Sequence, residues 1–279
     1  MKVFSATLCS AAACVVLTVT RFAQSDVSAS QSSPPSAEEL AEMLSNPVAN
    51  LITLPMQVDW DGGVGPDEDV RFTTKFQPVL PFALNEDWNL IARVIVPFVS
   101  QPALYPGSTP TFGTSDILLS AFLSPQDPHP FIWGAGPALL LPTTADPSLG
   151  TEKWALGPTA VILKQSRGFT YGALVNHIWS FAGDEKREDV CNSLVQPFLA
   201  YTTHSAITLS VSSESTKNWK ADSGEQWTVP IIFQASKLTQ LGPIPMSVAV
   251  GYAYFADKPD GGPSWKIRSS VTLLLPAKK

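Results

Sequence analysis

The chain has 279 residues, 15% of them charged and 10% aromatic, with 25 Pro, 17 Gly and a formal charge of −6 at pH 7. That length suits one large domain or two ordinary ones, and few charges beside many prolines and aromatics fit an all-β fold better than a helical one. The acidic balance argues against nucleic acid as a partner, because binding phosphates needs an excess of Lys and Arg.

Lys2 precedes a nearly uncharged run, Val3 to Thr20, rich in Ala, Val, Leu and Ser. It reads as an export signal. A signal-anchor helix is the alternative, but Ser and Thr dilute the run and a secretory-style Val27-Ser28-Ala29 follows it. Residues 1–29 are therefore expected to be a signal peptide cleaved after Ala23 or Ala29, residues 30–49 a polar linker with a short helix, and residues 50–279 the folded body. Cleavage after Ala29 removes Lys2, Arg21 and Asp26, which takes the net charge from −6 to −7. It also removes Cys9 and Cys14, so Cys191 stands alone and neither an intramolecular disulfide nor a thiolate metal cluster is expected. No cofactor is expected either.

Ser36 and Glu39 form a capping box for a helix from Ala37 to about Ser45, which Pro47 stops. Leu40, Met43 and Leu44 make it weakly amphipathic. A spacer is the expected role, with a membrane-surface helix or a plug as the other uses.

From Asn50 no segment keeps a helical period for three turns. The chain divides into twelve strand-like runs: 50–61, 70–83, 88–101, 113–124, 131–142, 153–165, 168–182, 189–203, 205–216, 225–237, 244–256 and 264–276. An even number lets an up-and-down antiparallel sheet close on itself with both ends on one side. The connections after odd runs, such as GGVGPDED, GDEKRED and DKPDGGP, are mostly longer and acidic, while those after even runs, such as NED and QSRG, are mostly shorter. Sorting by parity is what an outer-membrane barrel shows and a soluble sandwich has no reason to show. The run lengths fit the roughly 9–11 residues a tilted strand needs to cross hydrocarbon better than the 5–6 of an average soluble strand.

Residues 169–181, FTYGALVNHIWSF, alternate in this way. Phe169 and Tyr171 stand at one end of the apolar face and Trp179 and Phe181 at the other. Twelve residue steps along a tilted strand rise roughly 30 Å, enough for one aromatic pair at each membrane interface. Tyr252 and Tyr254 repeat the aromatic end on the eleventh run and Trp265 on the twelfth. The expected fold is an all-β, closed up-and-down antiparallel transmembrane β-barrel of about 12 strands with a short N-terminal helix, located in the bacterial outer membrane. A soluble lipid-binding barrel would place the apolar faces inside instead.

Several stretches carry a resemblance: NPVANLITLPMQ (46–57), FQPVLPFALNEDWNLIARVIVPFVSQP (76–102), WGAGPALLLPT (133–143), LGTEKWALGPTAVILKQ (149–165), YGALVNHIWSFAGD (171–184), QPFLAYTT (196–203) and EQWTVPI (225–231). Together they resemble the bacterial outer-membrane barrels grouped with the meta-pathway of phenol degradation, often labelled transporters or, misleadingly, neuromedin U. The resemblance spans nearly everything from residue 46. It implies uptake of small solutes, aromatic ones included, with no catalytic residues to carry over. The chain departs from the usual aromatic C-terminus of such barrels by ending VTLLLPAKK, with Leu275 in the place of the residue read by the assembly machinery.

With the apolar faces outward, parity places Gln57, Asp59, Asp61, Arg71, Lys75, Arg93, Glu214, Lys266 and Arg268 in the lumen. Closure sets the acidic first strand between two basic ones. Two readings stand: a charged constriction that orders polar or anionic solutes, or cross-strand ion pairs that neutralise buried charge in a narrow barrel. The function expected is a narrow passive channel for small solutes, anionic or aromatic ones among them. The alternatives are a non-conducting structural or adhesive barrel and the exported soluble barrel. Partners are outer-membrane lipid and lipopolysaccharide, the barrel assembly machinery and the solute. An enzyme is not expected: Ser180 and Asn176 fall on the opposite face from His177, and His129 and His204 have no ligand-spaced companions. The acidic clusters Asp67-Glu68-Asp69, Asp184-Glu185 and Glu188-Asp189 read as solvated loop tips.

Overall fold

The structure, a computed structural model, describes residues 35–275 except 106 and 129. The expected signal peptide, the first part of the linker, His129 and the tail 276–279 lie outside the described residues. The chain folds as α1 (Ala37–Leu44) followed by β1 (Ile52–Val64), β2 (Asp69–Phe76), β3 (Val79–Ala83), β4 (Trp88–Gln101), β5 (Thr111–Thr114), β6 (Ile117–Pro125), β7 (Ile132–Leu141), β8 (Lys153–Ser166), β9 (Phe169–Gly183), β10 (Cys191–Thr202), β11 (Ile207–Ser213), β12 (Ser215–Asn218), β13 (Trp227–Leu241), β14 (Ile244–Asp257) and β15 (Trp265–Leu275).

The strands pair antiparallel with their chain neighbours, and β15 returns to β1 in a continuous register from Leu275 opposite Ile52 to Trp265 opposite Gly62. The result is a closed twelve-stranded barrel. Three of the twelve staves expected to be continuous are broken, so that β2 with β3, β5 with β6 and β11 with β12 each share one stave. At the first break Pro78 has no N–H for the ladder, although its carbonyl still accepts from Val94 N–H at 3.1 Å. At the second, Asp116 leaves the ladder to accept from Thr151 N–H and Oγ1, both at 2.6 Å. At the third, Glu214 turns to Arg268 across the lumen.

Local chemistry sets the short turns. Between β8 and β9 only Arg167 and Gly168 intervene, with φ of +54° and +79°, the doubly left-handed pair that a two-residue hairpin requires. A Cβ on Gly168 would meet the Thr202 carbonyl oxygen at 2.6 Å, so glycine is needed for space as well as for φ.

The outer face is apolar from end to end. Ile162, Val175, Leu209, Phe233 and Val250 are exposed mid-strand. Phe169 and Tyr171 are exposed at the short-turn end, with the Phe169 ring 4.7 Å from that of Tyr201. Trp179, Phe181, Tyr252 and Tyr254 are exposed at the long-loop end, where Trp265, opposite Tyr254, is half-buried. A belt this continuous far exceeds the apolar patches that water-soluble monomers show, and lipid is the solvent that suits it. The soluble lipid-binding barrel is overturned on this ground, since its outside would be polar.

Candidate functional site

The lumen has two unlike walls. One is charged and is built on β1. Side chains alternate across a strand, so Gln57, Asp59 and Asp61 share the inward face, and register brings Arg268 and Thr73 to the flanks of Asp59 and Lys266 and Arg71 to those of Asp61. Asp59 is 1% exposed. It accepts from Arg268 Nε at 2.7 Å and Nη2 at 3.1 Å, from Lys75 Nζ at 3.3 Å and from Lys266 Nζ at 3.4 Å. Asp61 pairs with Arg71 at 3.2 Å and with Lys266 at 3.5 Å. Arg268 is the hinge of the set. Its other edge reaches Glu214 with Nη1 at 2.7 Å and Nη2 at 3.0 Å, across the two strands β13 and β14 that lie between them in the sheet.

Arg93 stands apart. Its Nη2 donates to Gln77 Oε1 at 2.8 Å, Gln77 Nε2 to Gln57 Oε1 at 3.4 Å and Gln57 Nε2 to Asp59 Oδ2 at 3.0 Å, so amides separate this guanidinium from the carboxylate cluster. Among the described residues no carboxylate lies within ion-pair reach of Arg93. On the same inward edge of β4, the buried Gln101 Nε2 toward the loops and Asn89 Oδ1 toward the turns have no hydrogen-bond partner among the described residues. Five cations (Arg71, Lys75, Arg93, Lys266, Arg268) therefore face three carboxylates (Asp59, Asp61, Glu214), an excess of two positive charges.

The opposite wall is apolar. Ile91, Phe122, Val161, Leu163 and Leu174 form a buried cluster on β4, β6, β8 and β9, flanked by Val79, Ile132, Leu194 and Phe198. Sequence reasoning looked for small or polar residues inward and missed this wall. Its signal was present: Ala160 to Leu163 on β8 is apolar at both parities, as in a strand buried on both faces.

The helix is also more than a spacer. Ala41 on α1 and Leu51 pack against Ala206, Leu238 and Leu274 at the short-turn end. Gln165 Nε2 donates to the Glu42 carbonyl at 2.8 Å, and His204 Nδ1 lies 2.9 Å from the Glu38 carboxylate. Val48 joins the apolar cluster of the lumen. The amphipathic stripe was legible, but nothing local says that its partner is the mouth of the barrel.

On the outer face His177 Nδ1 lies 2.8 Å from Ser193 Oγ, its register partner on β10, and Trp219 Nε1 donates to the same hydroxyl at 2.9 Å. This cross-strand pair was invisible to alternation along a single strand. Ser180 instead bonds Asp189 at 3.1 Å. The Ser180 hydroxyl and the Lys153 ammonium hold the Asp189 carboxyl below the ordinary carboxylate range, so this member of the acidic loop clusters is partly committed to structure. A relay needs the base to be oriented by a third polar group. Here the Nε2 side of the ring faces Cys191 Sγ at 3.8 Å, not a carboxylate or an amide.

No family model matches the chain, and neither does any curated relative. Among solved structures, an outer membrane channel from Pseudomonas putida F1 superposes with a TM-score of 0.60 at 15% sequence identity, over 81% of this chain and 96% of that one. Outer membrane phospholipase A from Escherichia coli gives 0.46 at 11% identity, over 79% and 92%. The β domain of a Bordetella autotransporter gives 0.46 at 8%, over 81% and 100%. The first likeness concerns the fold, and the fold is that of bacterial outer-membrane barrels.

Proposed function

We propose that this barrel is a narrow passive channel for small anionic solutes, aromatic ones among them. The observation that carries the reading is the cationic excess of the lumen wall, with Arg93 held by amides and not by a carboxylate. A fixed cation in a pore of low dielectric raises the local concentration of anions, as charged rings do in other pores. The aromatic part of the reading is supported by the sequence resemblance to barrels grouped with phenol degradation. A non-enzymatic role is supported by the thiol of Cys191 on the Nε2 side of His177, where a triad carries a carboxylate or an amide.

A second reading, a non-conducting structural barrel, is favoured by the docked helix and the filled apolar wall. Single-channel recording of the purified protein in a planar bilayer separates the two. Discrete, anion-preferring steps that lose their preference in Arg93→Glu support the channel. Silence from protein shown to be folded and inserted moves the conclusion to the structural barrel.

A further inference from the structure

The apolar wall has a resident that does not belong to the sheet. Val48 is 5% exposed and packs into the cluster of Ile91, Phe122, Val161, Leu163 and Leu174. Its seat is made by Gly134 on β7: a Cβ there would stand 3.2 Å from Val48 Cγ1 and 3.2 Å from Phe122 Cβ. A methyl group at 134 would press on Val48 and Phe122 and force one of them to give by a few tenths of an ångström.

The segment that carries Val48 adds nothing to the ladder. Its hydrogen bonds run within itself: Asn46 N to Met43 O at 3.0 Å, Ala49 N to Asn46 O at 3.2 Å, Leu51 N to Ala49 O at 2.8 Å and Val48 N to Asn46 Oδ1 at 3.0 Å. What ties residues 37–51 to the barrel is side-chain packing, the Gln165 amide on the Glu42 carbonyl and the Glu38–His204 pair. Withdrawal of such a segment breaks no strand pairing. It exposes an apolar surface that neighbours a cation, because Ile91 and Arg93 are successive inward residues of β4, about 7 Å apart along the strand.

We propose that this apolar wall is a binding site for the hydrocarbon or aromatic part of an amphipathic anion whose charged end meets Arg93, and that Val48 is its built-in occupant, displaced when the solute binds. The inference rests on the channel reading and deepens it. Binding energy here comes from removing apolar surface from water on both partners. Arg93 and the polar edge of β4 fix orientation.

The test is recording of the full protein and of two variants, Val48→Asn, which places an amide against the apolar cluster, and Val48→Ala, which only shrinks the occupant. Benzoate and acetate serve as probes of equal charge, with and without an apolar body. Conductance is expected to rise several-fold in Val48→Asn and less in Val48→Ala. Benzoate is expected to block both variants at concentrations that leave the wild type open, and acetate to block neither. Unchanged conductance in both variants, or benzoate and acetate acting alike, overturns the proposal. If selectivity still responds to Arg93→Glu while the Val48 variants behave as wild type, this inference falls and the channel stands. If every variant and the wild type are silent, both fall together.

Discussion

The wall built on β15, β1 and β2 and the wall built on β6 to β9 line one lumen and are held by opposite physics. On the first, Arg268, Lys266, Lys75 and Arg71 converge on two carboxylates, and the order of the set depends on every member being present. On the second, Phe122, Val161, Leu163 and Leu174 share dispersion contacts that no single partner controls. An ionic wall is specific and brittle, an apolar wall tolerant and graded. β4 runs between them and carries one residue of each kind side by side, Ile91 and Arg93. The lumen is therefore amphipathic across its width.

The strongest way to break this comparison is Asp59→Asn. It leaves Arg268, Lys75 and Lys266 facing one another with one carboxylate fewer, and removing one partner from a buried cluster costs about 3–5 kcal/mol. Urea unfolding from lipid vesicles should show a loss of that size. A loss below about 1 kcal/mol, the range of exposed pairs, would mean that water in the lumen screens the cluster and that the two walls do not differ in kind. Ile91→Val tests the other wall. Deleting one methylene from a packed site costs about 1 kcal/mol, and the same titration should show a small shift in midpoint at constant slope. An abrupt loss there would make the apolar wall as brittle as the charged one.

Much of the barrel was legible because its signals are local and repeated. The alternation around Tyr171 and Trp179, the parity of the loops and the even strand number need only one chain read in order, and closure then follows from hydrogen bonding. The neighbours of Asp59 were legible for the same reason, since adjacent staves fix cross-strand partners once the order is known. What was not legible lies between elements that no local signal joins. Glu214 meets Arg268 past two intervening strands, Ser193 meets His177 through register, and Val48 finds Gly134 from 86 positions away in the sequence. Pro78 could have signalled one break, inside the run 70–83 expected to be continuous. No residue type flagged the docking of α1, because an apolar stripe names no partner.

The contact between α1 and the short-turn end of the barrel offers the smallest and most selective test, since the segment that follows α1 carries Val48 into the apolar wall. His204 Nδ1–H donates to the Glu38 carboxylate at 2.9 Å, and that hydrogen bond, with the charge attraction behind it, raises the imidazole above its ordinary 6.5. The group is protonated more readily in the docked state, so its contribution is complete below pH 6.5 and fades as the pH climbs through the raised value. Both side chains meet solvent, so the effect is modest and salt weakens it. Glu42 on the same helix also titrates upward from 4.5, because burial and then the neighbouring Glu38 and Glu39 disfavour its charge. Its ionisation likewise loosens the docked helix as pH rises, in a window that opens at 4.5, whereas that of His204 opens at 6.5. The protection of the amides of residues 37–44, measured against their intrinsic exchange rate at each pH, should therefore fall in two steps between about pH 4 and pH 9. His204→Ala should erase the upper step and leave the lower. An upper step that survives the substitution would assign the release of α1 to some group other than this pair.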